Sequence, residues 1–526
     1  MCNVLIHHLR GFVVSFHRCL LILALSAPVT PLHAQTSGAA ATGPVVEVSG
    51  GKVRGTTITG GGALYRGIPY ARSPVGALRW REPMPVEAWT GIRDAVASGP
   101  PCAQNPHFIP TAREISREDC LYLNVWTPAI NPVRAAKPVM VWIPGGGNFA
   151  GGSGPQTGGE SLMRRDVVVV TLNYRLGLFG FFSHPDLTRE SPHRASGNQG
   201  ILDQIAALRW VQANIARFGG DPSNVTIFGE SAGSVNISVL MTSPLSRGLF
   251  ARAIGQSGAV VVAGEPLSLT DAESRGVLLA AAWGAGATAS IQALRALPVS
   301  AILAAEPNFL EQPQPNLGIT VDDYVFPTRP AAVFANGGQH KVPMLLGSLA
   351  HEWVPGVRPP TDLKSAIEGA YRAGAARRAL PLYMEAANDS LYGTPAEQWV
   401  EDTGFRCPAV AQLTWHAAAG HAAYHYEIEH VPPARRRGNT HAQDVAYVFG
   451  TLSGAGYAAV DTAMSDVMQT YWTNFAKTGN PNGPGVPQWP PFDATSRRYM
   501  AFTDMGASPK QGLRRPYCDL FIENVK

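Results

Sequence analysis

The clearest pattern in the chain is a change of hydrophobic period between residues 137 and 240. From Lys137, PVMVWIPGGG is an apolar run that breaks into glycines, and DVVVVTLNYR from Asp166 is a second run rich in β-branched residues. Strands that are hydrophobic on both faces belong in a parallel sheet covered on both sides. Between Asn198 and Phe218, leucines, isoleucines, alanines and Trp210 recur at helical spacing. The turn GGDP and a third short strand, Val225 to Phe228, follow, and a further helix is predicted after Ser231. This order of strand, helix, strand and helix describes a right-handed crossover in an α/β sheet, where active sites form beyond the carboxyl ends of the strands. Both glycine-rich turns lie at such ends. Nearer the start, VVEVSGGKVRG alternates as a strand pair around Gly50 and Gly51. The prolines at 327–330 and 355–360 mark loops within one body, and there is no internal repeat.

The first 34 residues are a separate object. His7, His8, Arg10 and Arg18 precede an apolar run from Cys19 to Ala27, no acid is present, and Pro28, Pro31 and Ala34 follow. That is the layout of an export signal cleaved before Gln35. The uninterrupted run is about half of the ~20 residues a bilayer needs, so a cleaved leader is favoured over an anchor, with no stable membrane insertion after its removal. The expected location is secreted or periplasmic.

Composition narrows the rest. The chain has 526 residues, 45% hydrophobic and 15% charged, as in a large globular protein. Its 42 Lys and Arg against 38 Asp and Glu leave a net charge of +4, spread along the length, which argues against a nucleic-acid groove. Arg435, Arg436 and Arg437 sit beside Pro433 and Gly438 and read as a solvated loop. Without the leader, Cys102, Cys120, Cys407 and Cys518 remain, and an even count in an exported chain favours disulfides. Of the three connectivities, the short separation favours Cys102 with Cys120, leaving Cys407 with Cys518. Closing so short a loop stabilises by about 3 kcal/mol on the chain-entropy model.

The candidate chemistry centres on VTIFGESAG, which sets Ser231 between Gly229 and Gly233, after a strand and before a helix. Such a turn must be tight enough to expose the hydroxyl, and small flanking residues let the backbone come close. The helix that starts there makes the N–H of Ala232 a donor for a developing oxyanion. Serine is a poor nucleophile without a base, and a tetrahedral intermediate needs further donors. Gly145, Gly146 and Gly147 can supply them from an unobstructed backbone.

These residues resemble a type-B carboxylesterase of the α/β-hydrolase superfamily, the group that includes bacterial p-nitrobenzyl esterases and animal cholinesterases. The landmarks are YRGIPYARSPVGALRW, EDCLYLNVWTP from Glu118, NYRLGLFGFF from Asn173, GNQGILDQIAALRWVQANIARFGGDPSNVTIFGESAGS ending at Ser234, THAQDVAYVFG from Thr440 and YWTNFAKTGNPNG from Tyr471. The resemblance implies an α/β-hydrolase fold: a central, mostly parallel twisted sheet flanked by helices, with large loop and helical insertions, as one domain over 35–526. It implies Ser231 as nucleophile, His441 as general base and Glu352 as acid, with the N–H groups of Gly146, Gly147 and Ala232 as oxyanion hole. The activity implied is hydrolysis of small carboxylic esters through an acyl-enzyme, with no cofactor and no metal. Oligomeric state stays open.

Several positions depart from the family pattern. His351 and Trp353 flank Glu352 where an acid and glycine are common, and Asp444 is the alternative acid. Pro144 precedes the glycine turn and alters only its wall. Asn148 replaces an aromatic, so a polar group is expected to face the substrate. Glu230, beside the nucleophile, either orients water or a ligand or is a structural buried carboxylate. The loop from Cys102 to Cys120 has Phe108 but no tryptophan, which removes the cation–π platform of a choline site and argues against acetylcholinesterase. HYEIEH from His425 lacks metal-site spacing and reads as a strand edge. The rivals are an amidase or carbamate hydrolase using the same triad, and a catalytically inactive ligand-binding or adhesion relative.

Overall fold

The apolar runs form the middle of an eleven-stranded sheet in the computed structural model. The structure describes residues 43–105, 112–129, 135–261, 266–286, 289–304, 318–352, 354, 358–432, 440–453 and 456–525. The leader, Phe108, Trp353 and the arginines 435–437 lie outside the described residues. In chain order the strands are β1 (Thr56–Thr57), β2 (Ala63–Pro69), β3 (Tyr122–Thr127), β4 (Lys137–Ile143), β5 (Val168–Leu172), β6 (Gly220–Glu230), β7 (Arg252–Gln256), β8 (Met344–Leu349), β9 (Ala423–Ile428), β10 (Arg498–Thr503) and β11 (Gly506–Gln511). Across the sheet they stand β1-β2-β3-β5-β4-β6-β7-β8-β9-β10-β11. From β5 to β10 in that order every pairing is parallel. The pairs at either side of this run are antiparallel. Gly43–Lys526 cluster as one compact unit.

Alternation along each central strand feeds two cores. Val139, Val141 and Ile143 of β4 pack in a cluster with Ile201, Ile205 and Leu208 of helix α1 (Gln199–Asn214). Met140 and Trp142 face the opposite way, with Met468, Trp472 and Phe475 of the helix Ala459–Thr478. Burial on both faces explains why these strands read as continuous apolar runs. Helices such as Leu269–Ala280, Leu363–Ala370, Ala373–Met384 and Pro395–Glu401 fill the chain between β7 and β9. Two of the sequence landmarks are joined by a buried ion pair, Arg79 to Glu118 at 2.6 Å. Another buried pair joins Arg175 to Asp203 at 2.7 Å.

Three expectations shift in detail. The third strand begins at Gly220 instead of Val225, because Lys137 pairs with Gly220 and a register irregularity absorbs the GGDP turn into the ladder. The helix from residue 198 ends as a tight 3₁₀ turn at Ile215–Phe218. HYEIEH is not a strand edge: β9 lies between β8 and β10, fully buried. Its charge is accommodated because Arg406 Nε donates to Glu427 Oε1 at 2.8 Å and Tyr392 donates to Oε2 at 3.0 Å. Both disulfides form, Cys102–Cys120 and Cys407–Cys518. Among the described residues, no helix is long and apolar enough to cross a membrane.

Candidate active site

At the carboxyl end of β6 the backbone turns abruptly into helix α2 (Ala232–Leu240), and Ser231 occupies the corner with φ 54° and ψ −125°. Non-glycine residues rarely adopt such a conformation, and one that does must be held there by its surroundings. Ser231 donates its N–H to Gln256 O at 2.8 Å, which ties the corner to β7. A Cβ on Gly233 would lie 2.1 Å from Ile143 O, so the spacing of glycine around serine follows from how closely the corner approaches β4.

Two other strand ends deliver the remaining groups. Glu352 follows β8 and His441 follows β9. His441 Nε2 lies 2.9 Å from Ser231 Oγ, and its Nδ1 lies 2.7 Å from Glu352 Oε2. Glu352 is buried, and its second oxygen accepts from Leu349 N at 2.7 Å. The acid and base segments are also joined by their neighbours, since Thr440 Oγ1 donates to the carbonyl of His351. Phe405 packs against the His441 ring, with centroids 5.1 Å apart.

The other predicted positions divide. Glu230 is brought to the centre: its Oε1 is 3.1 Å from His441 Nε2. Burial pushes the Glu230 carboxyl up to about 8, with Asp444 and Glu352 adding to the rise and His441 opposing it. Burial by itself pulls the His441 imidazole down, but Glu230 and Glu352, with Asp444, reverse this and push it up to about 9. Each group therefore biases the other: an ionised Glu230 is a counter-ion that favours the imidazolium, while burial opposes that ionisation.

Asp444 is not within the Ser–His–Glu hydrogen-bond chain. Its Oδ2 accepts from Tyr426 OH at 3.1 Å, and burial raises its carboxyl to about 6. The glycine turn packs directly on the corner, a Cβ on Gly145 falling 3.1 Å from Ser231 Cβ. Gly146 and Gly147 have φ of 106° and 66°, and Gly146 O accepts from Ala150 N at 3.0 Å, which fixes the turn. Asn148 is engaged by protein groups. Its Oδ1 accepts from Asn236 at 2.8 Å and from Tyr174 OH at 3.0 Å, and its Nδ2 donates to Asn236 at 3.3 Å. The buried amide is therefore engaged by polar partners on α2 and after β5.

One group of residues had no signal in sequence. Glu401 Oε2 accepts from Glu352 N at 2.6 Å, and Arg406 Nη2 donates to Ala350 O at 2.7 Å. Both accept or donate to main-chain atoms, so no side-chain motif announces them. Among the described residues no group of His, Cys, Asp and Glu is arranged to hold a metal.

The Carboxylesterase family matches residues 42–521. The medium-chain fatty acyl-CoA hydrolase precursor of Anas platyrhynchos is 34% identical, with 91% of this chain and 92% of that protein covered. The fumonisin B1 esterase of Sphingopyxis macrogoltabida is 36% identical, over 89% of this chain and 88% of that one. Among solved structures, a PNB esterase superposes with a TM-score of 0.79 at 32% identity, covering 91% of this chain and 99% of the other. The carboxylesterase EST55 of Geobacillus stearothermophilus gives 0.79 at 30% identity, over the same shares.

Proposed function

The chain belongs to the carboxylesterase family and is a carboxylic ester hydrolase of the α/β-hydrolase fold, and we propose that it works through an acyl-enzyme on a Ser231–His441–Glu352 triad. The observation that supports this reading is the continuous chain of contacts from Ser231 Oγ through both nitrogens of His441 to Glu352.

In the first half-reaction His441 Nε2 accepts the serine proton as Oγ attacks the ester carbonyl. The ring then carries two N–H groups, and Glu352 stabilises the imidazolium while fixing which nitrogen faces the serine. The developing oxyanion is received by the N–H groups of Gly146, Gly147 and Ala232, each donor of this kind contributing about 3 to 4 kcal/mol to the transition state. His441 returns the proton to the departing alcohol. Water then repeats the cycle on the acyl-enzyme, with the same base, and releases the acid.

The test is turnover of p-nitrophenyl acetate and butyrate. Ser231→Ala is expected to lose several orders of magnitude in kcat, keeping only the residue of rate that the oxyanion donors supply, and equal rates for variant and parent overturn the triad. We further propose one domain over 35–526 behind a leader at 1–34. The two disulfides are consistent with export to an oxidising compartment, and a mature N-terminus at Gln35 in secreted protein is the matching observation.

A further inference from the structure

We propose that Glu401 is a positioning residue for the acid, gripping the main chain of Glu352 so that its carboxylate stays on His441; this rests on the triad reading above.

The need arises from where Glu352 sits. It lies on the short turn that leaves β8, past the last ladder position at Leu349. A buried N–H there has to find an acceptor, and one left without costs about 1 to 3 kcal/mol. Leu349 N is satisfied by the Glu352 carboxylate itself, and Ala350 N donates to Ile428 O at 2.8 Å. The N–H of Glu352 is taken by Glu401 Oε2 at 2.6 Å, across 49 residues of sequence.

Glu401 is itself held. It ends the helix Pro395–Glu401 and leads into the wide turn Asp402–Arg406. Arg406 Nη2 is 4.0 Å from Glu401 Oε2 and donates to the carbonyl of Ala350 at 2.7 Å, so one guanidinium touches the carboxyl and the turn it supports. The remaining Arg406 nitrogens pair with Asp402 and Glu427, and the guanidinium lies 4.5 Å from the Tyr392 ring centroid. Phe405, from this same turn, packs on His441. A single short segment thus touches the acid's backbone, the carbonyl two residues before it and the base's ring. His351 Nδ1, 3.4 Å from Glu401 Oε1, adds a flank from the acid's own segment.

The bond that matters needs only an acceptor oxygen at Oε2, so Gln is an adequate replacement and Ala is not. For p-nitrophenyl butyrate, Glu401→Ala is expected to lower kcat about tenfold or more with KM changed less than about twofold, because misplacing a catalytic group by 1 Å can cost about a hundredfold. Glu401→Gln is expected to recover most of that loss. In a Glu352→Gln background the Ala substitution is expected to change kcat less than about twofold further, since both changes then disable one function.

Loss of activity in Glu401→Ala that is additive with Glu352→Gln, or an unchanged kcat, overturns the proposal. An unchanged kcat in Glu352→Gln alone overturns the triad reading instead. Should Glu401→Ala not fold, Glu401→Leu fills the space without an acceptor and takes its place; if neither folds, the residue serves the fold and the proposal is wrong.

Discussion

The contact between Glu230 and His441 beside the serine gives the protein two separable predictions. Glu230 and Glu352 both lie on His441 but on different nitrogens, 3.1 Å from Nε2 and 2.7 Å from Nδ1. Glu230→Gln removes a charge that raises the imidazole, so the apparent pKa of the base falls and the acid limb of the kcat/KM–pH profile moves to lower pH. A limb that stays in place, or moves up, contradicts the assignment. Glu352→Gln acts on the other nitrogen and replaces the carboxylate with a neutral amide that no longer fixes the ring tautomer or stabilises the imidazolium, an effect on kcat of about 10⁴-fold in comparable triads. Asp444→Asn, whose carboxylate contacts Tyr426, is expected to change kcat less than about tenfold; steady-state kinetics beside melting curves ranks the two. The three members of the chain were legible in sequence because each stands in a segment with its own pattern. The partners of Asn148 were not legible: a polar residue in a loop satisfies itself on whatever polar partner is near, and Asn236 and Tyr174 come from segments 88 and 26 residues away. Glu401 was invisible because its partner is a main-chain N–H that exists as an orphan only once the turn after β8 has formed.

Strands, helices and turns show where local pattern suffices. The doubly buried strands β4 and β5 and the helix α1 follow directly from hydrophobic period. Their order across the sheet does not, because period says which face is apolar and not which neighbour lies beside it. The glycines of the corner are legible as a motif, while their necessity is steric. Gly233→Ala would push a methyl to 2.1 Å from the carbonyl oxygen of Ile143. Since that atom is backbone of a central strand, relief requires moving β4 or the corner. The expected result is a lower melting temperature, corresponding to about 1 to 3 kcal/mol for overpacking, and a fall in kcat as Ser231 leaves its position. Calorimetry with active-site titration measures both, and a variant of parental stability and rate would show that the corner has room to spare.

Across the whole molecule, one run of parallel strands collects groups that are far apart in the chain. Ser231, Glu352 and His441 follow β6, β8 and β9, and only β7 stands between the first of these strands and the second. The disulfides act at this scale. Cys407 and Cys518 are separated by 111 residues and Cys102 and Cys120 by 18. On the chain-entropy model loops of these sizes are worth about 4.7 and about 3 kcal/mol. Reduction verified by intact mass is therefore expected to lower the melting temperature, and unchanged melting would show that the cross-links do not restrain the unfolded chain. The longer bridge has another effect. His441 lies inside the span it closes, whereas Ser231 and Glu352 precede it. A protease that severs the polypeptide once between 408 and 440 would leave nucleophile and base on different fragments that remain covalently one molecule. Such nicked material is expected to run as a single species on a denaturing gel and as two pieces once a thiol is added, while in the native state the shared sheet and core still hold nucleophile and base together.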